Sequence, residues 1–130
     1  MGGDAMTLVD TSSWIEFLRG RDSEPGRRVE ELLVRGGAAW CDMTLVELWN
    51  GARGEGEKNT LRELEGELCL CPVNVPVWSR ARKLAGVCRD QGITVPTADI
   101  VIAACAAEHQ LELEHNDGHL EKILPLAKAL

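Results

Sequence analysis

The sequence predicts an α/β protein of three layers, in which helices cover both faces of a mostly parallel central sheet. Short apolar runs of strand character alternate with helical stretches along the chain, so helical crossovers join the strands. Crossovers of this kind produce parallel strands that are buried on both faces. The 130 residues contain no repeat, low-complexity segment or dividing linker, and they are enough for one hydrophobic core.

The elements of the first part of the chain are predicted from local patterns. The apolar run at 7–10 forms a first strand, and a serine of TSSW can cap the helix after it. Pro25 suits the first turn of a second helix, which two glycines end before a second strand at 38–41. A third helix is expected to begin near Thr44, and the GEGEKN stretch that follows is predicted to be a turn-rich break.

The middle of the chain continues the alternation. Leucines three and four residues apart in LRELEGEL predict a fourth helix, which is followed by a strand at 68–73. A long amphipathic helix is predicted over 77–89, and Gly92 ends it. Its predicted buried stripe consists of Trp78, Ala81, Leu84, Ala85 and Cys88.

The last part of the chain supplies one more strand. Thr97 can cap a very apolar helix that runs to about His109, ahead of a strand at 111–113. A short helix from about Leu120 and a separate terminal segment at 126–130 complete the prediction.

Composition excludes several classes of protein. With 14 basic and 21 acidic residues the net charge is -7, the wrong sign for a protein that holds nucleic acid by electrostatics alone. No apolar run approaches the ~20 residues of a membrane span and the start does not resemble a signal peptide, so we expect a cytoplasmic location and no membrane partner. The five cysteines match neither a disulfide framework nor a zinc site, so buried free thiols are expected. We expect one domain over 6–130, with 1–5 as an extension or cloning remnant.

Four acidic residues are predicted to meet at one edge of the sheet. In a parallel sheet, ligands bind beyond the carboxyl ends of the strands and at the helix starts nearby. Asp10 ends the first strand, Glu47 lies near the start of the helix after the second strand, and Asp117 follows the last strand. Asp99 lies in the first turn of the most apolar helix. All four therefore fall at the same edge.

Each acid also has a purely structural explanation. Asp10 and Asp99 can stabilise helix N-termini, and Asp117 can be a turn residue. Glu47 completes a T-x-x-E capping box with Thr44. As a group, however, four such acids would repel one another by up to ~4 kcal/mol for each close pair. A cation is therefore expected among them.

Mg²⁺ or Mn²⁺ is the cation that suits this donor set. The pattern places no set of histidines or cysteines beside the acids and no basic residue at a matching strand end. Carboxylate oxygens are hard ligands, which Mg²⁺ and Mn²⁺ prefer and which do not by themselves suit zinc. A site of this kind can activate water and stabilise a phosphoryl group, as in metal-assisted phosphodiester hydrolysis.

Four segments, taken in order, resemble the PIN domain family, and most closely its VapC-type ribonuclease toxins of type II toxin-antitoxin systems. These segments are VDTSSWIEFLRG, TLVELWNGAR, TADIVIAACA and HNDGHLEKI. The resemblance implies a PIN-like fold and an endoribonuclease that depends on Mg²⁺ or Mn²⁺. It also implies a homodimer and a cognate antitoxin whose tail covers the active-site groove. By position, the catalytic and metal-binding residues implied are Asp10, Glu47, Asp99 and Asp117, with the Ser12 hydroxyl as a neighbour.

The chain departs from the family pattern at two positions. His119 stands where many relatives carry a second aspartate, which leaves one or two metal ions open; it is either a proton donor or a solvated loop residue. Asp42 stands where relatives often have a small apolar residue, and it is either a fifth nearby acid or a loop residue. His115 is expected close to Asp117. Four basic residues are candidates for contacts with the RNA backbone or are ordinary surface charges: Arg19, Arg21, Arg53 and Lys58.

Two other functions compete with the ribonuclease hypothesis. A phosphoacceptor domain also uses an aspartate at a strand end, but it requires paired acids after the first strand and a lysine after a late one, and TLVDTSS and LELEHNDGH contain neither. A catalytically inactive PIN-like binding module is the stronger alternative. The presence of all four acids favours the enzyme.

Overall fold

A computed structural model describes residues 5–130, which form helices around one four-stranded sheet. The strands are β1 (Thr7–Val9), β2 (Ala38–Cys41), β3 (Cys69–Cys71) and β4 (Glu112–Glu114). The helices are α1 (Thr11–Leu18), α2 (Glu24–Val34), α3 (Asp42–Asn50), α4 (Gly54–Glu65), α5 (Val75–Asp90), α6 (Thr97–Glu108) and α7 (Gly118–Lys128). Neighbouring strands are all parallel and lie in the order β3-β2-β1-β4. The predicted parallel α/β fold is confirmed. Residues 1–4 of the predicted extension lie outside the described residues.

Alternating side chains of the strands build a separate core on each face of the sheet. Leu8 and Cys41 pack with the buried stripes of α5, α6 and α7. Val9 and Trp40 point to the opposite face, where they pack with α1, α2, α3 and α4. This alternation follows from the two-residue period of a strand. The sheet is thus covered on both faces, which confirms the three-layer arrangement.

Helix α6 lies in the middle of the first core. Every residue from 101 to 106 is buried, and the helix packs along both α5 and α7. The small side chains of Ala103, Ala104 and Ala106 leave room for two helices to approach at once. The first turn of α6, which carries Asp99, is consequently held by a rigid support.

Two helices begin earlier than predicted. The predicted serine cap of α1 is wrong, because the carboxylate of Asp10 caps the helix by accepting the Ser13 N–H at 3.1 Å. Helix α3 begins at Asp42, directly after β2, and not near Thr44. The buried Thr44 hydroxyl lies 3.7 Å from Cys41 Sγ and does not cap the helix through its side chain. The predicted capping box with Glu47 is therefore wrong.

The GEGEKN stretch is helical, contrary to the prediction of a turn-rich break. Helix α4 begins at Gly54, whose positive φ of 66° suits glycine, and includes the whole stretch. Glu55 and Glu57 lie in its first turn, where carboxylates are favoured by the helix dipole. The Glu57 carboxylate also accepts the Arg53 N–H at 2.8 Å. These local interactions outweigh the low helix propensity of two glycines.

The buried stripe of α5 contains neither Trp78 nor Ala85. Its buried residues are Val77, Ala81, Leu84 and Cys88, at spacings of four, three and four residues. Trp78 and Ala85 each lie one position beyond this stripe, which corresponds to about 100° around the helix. Trp78 is 43% exposed and Ala85 is exposed. Their predicted burial is wrong.

The C-terminal end forms one helix instead of two segments. Helix α7 continues through Pro125, because Leu120, Ile123 and Ala127 make one buried stripe on both sides of it. Thr97 is the first residue of α6 and does not cap it, since the capping position belongs to Pro96. Strand β4 starts one residue later than predicted.

Composition led to two expectations, buried free cysteines and the absence of a membrane-spanning segment. All five cysteines are free, and four are buried as expected, whereas Cys69 on the edge strand β3 is exposed. Within residues 5–130, none of the helices combines the length and apolar character that a membrane crossing requires.

The tight packing of α6 generates a stability prediction. Replacing the fully buried Ala104 with leucine should lower the free energy of unfolding by about 1–3 kcal/mol, because extra methyl groups do not fit between α5 and α7. The matched control is Ala85→Leu on exposed helix surface, which should change stability by less than about 0.5 kcal/mol. Urea titrations of both variants make the comparison. Equal stabilities would contradict close packing around α6.

Candidate functional site

Asp10 lies at the carboxyl end of β1, an interior strand of the sheet. The residue is only 2% exposed. Its carboxylate accepts the Ser12 hydroxyl at 2.9 and 3.1 Å and the Ser13 backbone N–H at 3.1 Å. Burial raises the pKa of Asp10, and these hydrogen bonds oppose the rise. The expected contact with Ser12 is present, and it fixes the carboxylate at the start of α1.

Glu47 is connected to the same strand end through a hydroxyl. Its Oε1 accepts the Thr11 hydroxyl at 2.5 Å, and Thr11 directly follows Asp10 in the chain. This contact between residues 36 positions apart orients the Glu47 side chain toward α1. The role of Thr11 was missed in the sequence, where the only signal was a hydroxyl next to an acid.

The Asp99 carboxylate interacts electrostatically with the other three acids. Burial and the negative charges of Asp117, Glu47 and Asp10 raise the pKa of Asp99 to about 6, while His119 opposes the rise. Its side chain is 13% exposed, and its Oδ2 atom is buried without a hydrogen-bond partner in the described part of the chain. The four predicted acids therefore lie close enough to interact, and one carboxylate oxygen among them is unpaired.

Asp117 and His119 complete the group at the start of α7. Asp117 Oδ1 accepts the His119 N–H at 2.7 Å and so caps the helix. His119 Nδ1 lies 3.3 Å from Asp117 Oδ1 and 3.6 Å from Asp99 Oδ2. Ligand atoms of these three residues all lie within 4.8 Å of one another. His119 thus lies in the first turn of α7 and not in a loop, with a solvent-exposed side chain beside Asp99 and Asp117.

The remaining predicted neighbours divide into two groups. His115 lies beside Asp117 as expected, since its Nδ1 accepts the Asp117 N–H at 3.4 Å. Asp42 is an exposed residue in the first turn of α3 and not a loop residue. Its role as a fifth nearby acid stays a prediction.

A narrow cleft opens beside Glu47 between α1, α3 and α4. Its apolar walls are formed by Ile15, Leu18, Leu48 and Leu61. Arg19 and Glu57 also line the cleft and approach each other to 3.8 Å. Of the four basic candidates for RNA contacts, Arg19 lines this cleft and, like Arg21 and Lys58, pairs with a neighbouring acid.

The residues present fit a divalent metal ion. The unpaired buried Oδ2 of Asp99 lacks the hydrogen bond that such an atom normally has, and a metal ligand bond would supply the missing partner. A cation would also relieve the repulsion that raises the pKa of Asp99. The oxygen-rich donor set suits Mg²⁺ or Mn²⁺.

The raised pKa of Asp99 generates a prediction for the protein in EDTA. Because the native state holds this proton up to pH about 6 while the unfolded chain releases it near 3.8, stability should fall as pH rises through that interval. Asp99→Asn removes the titrating carboxyl group. The variant should therefore lose less stability than the wild type between pH 4 and 8. At pH 7.5 the variant should be at least as stable. Urea titrations across this range measure both; a large destabilisation would mean that the carboxylate instead supports the start of α6.

Comparisons with known proteins agree with this architecture. The family model described as "PIN domain" matches residues 7–123. The chain is 32% identical to the Mycobacterium tuberculosis protein named Ribonuclease VapC11, over a 124-residue alignment that covers 91% of each chain. It is also 32% identical to Ribonuclease VapC21 of the same species over 105 residues, which covers 78% of this chain and 75% of the relative.

Solved structures show the same fold. VapBC2 from Rickettsia felis, bound to a DNA fragment from its promoter, has a TM-score of 0.75 at 15% identity, and the match covers 91% of this chain and 92% of that one. FitAcB from Neisseria gonorrhoeae has a TM-score of 0.70 at 25% identity, with 96% and 94% covered. The family match and the two curated relatives together extend over most of the sequence. The chain therefore belongs to the PIN domain family, and within it to the VapC-type proteins.

Proposed function

We propose that this protein is the toxin of a toxin-antitoxin pair, and that it is a divalent-metal-dependent endoribonuclease which hydrolyses RNA phosphodiester bonds. The observation that carries the proposal is Asp99: its buried Oδ2 is unpaired in the described part of the chain, Asp117 and His119 lie beside it, and the charges of Asp117, Glu47 and Asp10 raise its pKa. Curated relatives at 32% identity are named ribonucleases. The proposal assigns the catalytic and metal-binding roles to Asp10, Glu47, Asp99 and Asp117.

The side chains around the acids would prepare them for Mg²⁺ or Mn²⁺. When bound, the ion would supply charge neutralisation at the phosphoryl group and a water of lowered pKa. Ser12 holds the Asp10 carboxylate and Thr11 holds that of Glu47, so neither has to be ordered when the ion enters. The rigid α6 does the same for Asp99. This preorganisation supports catalysis because the ligands keep one geometry.

RNA would approach a site of its own charge. The protein carries a net charge of -7, and the four acids would repel a phosphate in the absence of a cation. An ion held by Asp10, Glu47, Asp99 and Asp117 would offset this repulsion. Arg19 is the side chain we propose for a contact with a neighbouring phosphate, since it lines the cleft beside Glu47.

The tail of a cognate antitoxin is proposed to cover the acidic site, where a basic side chain of the tail would meet the carboxylates. The solved neighbours include a toxin-antitoxin complex from Klebsiella pneumoniae, which shares the fold at 22% identity and a TM-score of 0.64. The homodimer and the cytoplasmic location stay predictions that follow from the family resemblance and from composition.

An inactive binding module is the alternative within the family. Loss of activity would be expected to accompany loss or separation of acids, but here all four are present and interact. The phosphoacceptor hypothesis is also disfavoured, because the chain belongs to a different family.

Glu47→Gln tests the proposed site with little disturbance of the fold. Glutamine keeps an oxygen that can accept the Thr11 hydroxyl, so the melting curve in EDTA should be nearly unchanged. It lacks the charge needed to hold the ion, so RNA cleavage should fall by at least ~100-fold. A fluorogenic RNA assay and a thermal melt measure the two effects.

The matched control is Glu57→Gln, which alters another carboxylate lining the same cleft. This variant should cleave RNA within about threefold of the wild type. Equal losses in the two variants would show that general charge in the cleft matters and would remove Glu47 from the ligand set.

The chemistry of the products provides a second test. Hydrolysis by water should leave 5′-phosphate and 3′-hydroxyl ends, and EDTA should abolish cleavage until Mg²⁺ or Mn²⁺ is restored in excess. Mapping of the RNA ends measures this. Activity that survives EDTA, together with 2′,3′-cyclic phosphate ends, would contradict the metal mechanism and would point to acid-base catalysis by His115 and His119.

A further inference from the structure

We infer that His119 is itself a ligand of the divalent metal, through Nδ1, and that its imidazole makes this site favour Mn²⁺ over Mg²⁺. The inference rests on the proposed function, because it concerns the ion held by the same acids. It goes beyond the four-carboxylate set in naming a nitrogen ligand and a metal preference.

The position of the imidazole fits a shared ion better than a hydrogen bond. His119 Nδ1 lies 3.3 Å from Asp117 Oδ1 and 3.6 Å from Asp99 Oδ2, both longer than the usual N–H···O distance. Two ligands about 2.2 Å from one ion and at right angles lie about 3.1 Å apart, and wider angles increase this separation. The observed spacings are therefore those of neighbouring ligands on a single ion.

The burial of the Asp99 oxygen points to the same place. The Asp99 Oδ2 atom, which faces His119 Nδ1, is buried and has no hydrogen-bond partner in the described part of the chain. An ion between the two atoms would give this oxygen a partner. It would also relieve the charge repulsion from Asp117, Glu47 and Asp10 that acts on Asp99.

The backbone holds His119 in this position. The carboxylate of Asp117 caps α7 by accepting the His119 N–H at 2.7 Å, so the two candidate ligands are fixed relative to each other. The His119 side chain is 53% exposed, which leaves room for solvent at the ring. A ligating histidine commonly gives its second ring N–H to water or to another acceptor.

Donor chemistry sets the metal preference. Mg²⁺ is a hard ion that takes oxygen ligands and keeps several waters, whereas transition metals accept imidazole nitrogen more readily. An imidazole in place of a carboxylate also removes one negative charge, which weakens the purely electrostatic attraction shared by both ions. The change consequently favours Mn²⁺, whose bond to nitrogen compensates for part of the lost attraction.

The test compares wild type, His119→Asp and a control, His109→Gln, in the full-length protein. His109 is at the end of α6, where its ring contacts the Pro72 carbonyl oxygen at 2.9 Å. Calorimetry measures the dissociation constants of MnCl₂ and MgCl₂, and pulsed EPR of the Mn²⁺ complex detects coupling to ¹⁴N. We expect nitrogen coupling in wild type and control and none in His119→Asp. The ratio of the Mg²⁺ to the Mn²⁺ dissociation constant should fall at least ~10-fold in His119→Asp.

The possible results separate this inference from the proposed function. Mn²⁺ binding without ¹⁴N coupling, or an unchanged affinity ratio in His119→Asp, would overturn the role of His119 and leave the metal site standing. Coupling that persists in His119→Asp would assign the nitrogen to another residue, such as His115, and would also overturn it. Failure of the wild type to bind either ion would overturn the proposed metal mechanism together with this inference.

Discussion

The repulsion that other acids exert on the buried Asp99 carboxylate is the constraint on which the rest of this structure depends. Asp10 and Asp99 both have raised pKa values because they are buried, and three other acids raise that of Asp99 further. At neutral pH the metal-free site therefore opposes folding. The fold tolerates this because the helices carrying the acids are packed into two apolar cores for other reasons, so the cost is spread over the whole domain.

The parallel topology decides where that repulsion is concentrated. The carboxyl ends of β1, β2 and β4 lead into α1, α3 and α7; Asp10 and Asp117 cap α1 and α7, and Glu47 lies within α3. Asp99 reaches the same edge by another route, since α6 follows α5 and not a strand. Its position depends on packing between α5 and α7. Three acids are thus placed by backbone connectivity and the fourth by side-chain packing.

The sequence was sufficient to predict the features that depend on local periodicity. The strand-helix alternation, the two-sided sheet and the places of Asp10, Glu47 and Asp117 near strand ends follow from runs and spacings visible in the chain. The capping box at Glu47 was wrong because a tertiary contact with Thr11, 36 residues away, determines the orientation of its side chain. The predicted burial of Trp78 was wrong because the buried face of α5 is determined by the helices against which α5 packs. The place of His119 likewise depends on how α6 and α7 pack, which no local pattern reports.

Negative charge links the proposed chemistry to the proposed partner. RNA is a polyanion, so the acids can approach it only when a cation offsets part of their charge. Without the cation, the same field favours a basic side chain, which the tail of the proposed antitoxin could supply. An imidazole at position 119 lowers the negative charge by one relative to a carboxylate. The residue at that position therefore sets how much of the affinity for the ion comes from Coulomb attraction and how much from the donor atom. Because a basic partner competes with the ion through Coulomb attraction alone, the same residue also sets how strongly the partner competes.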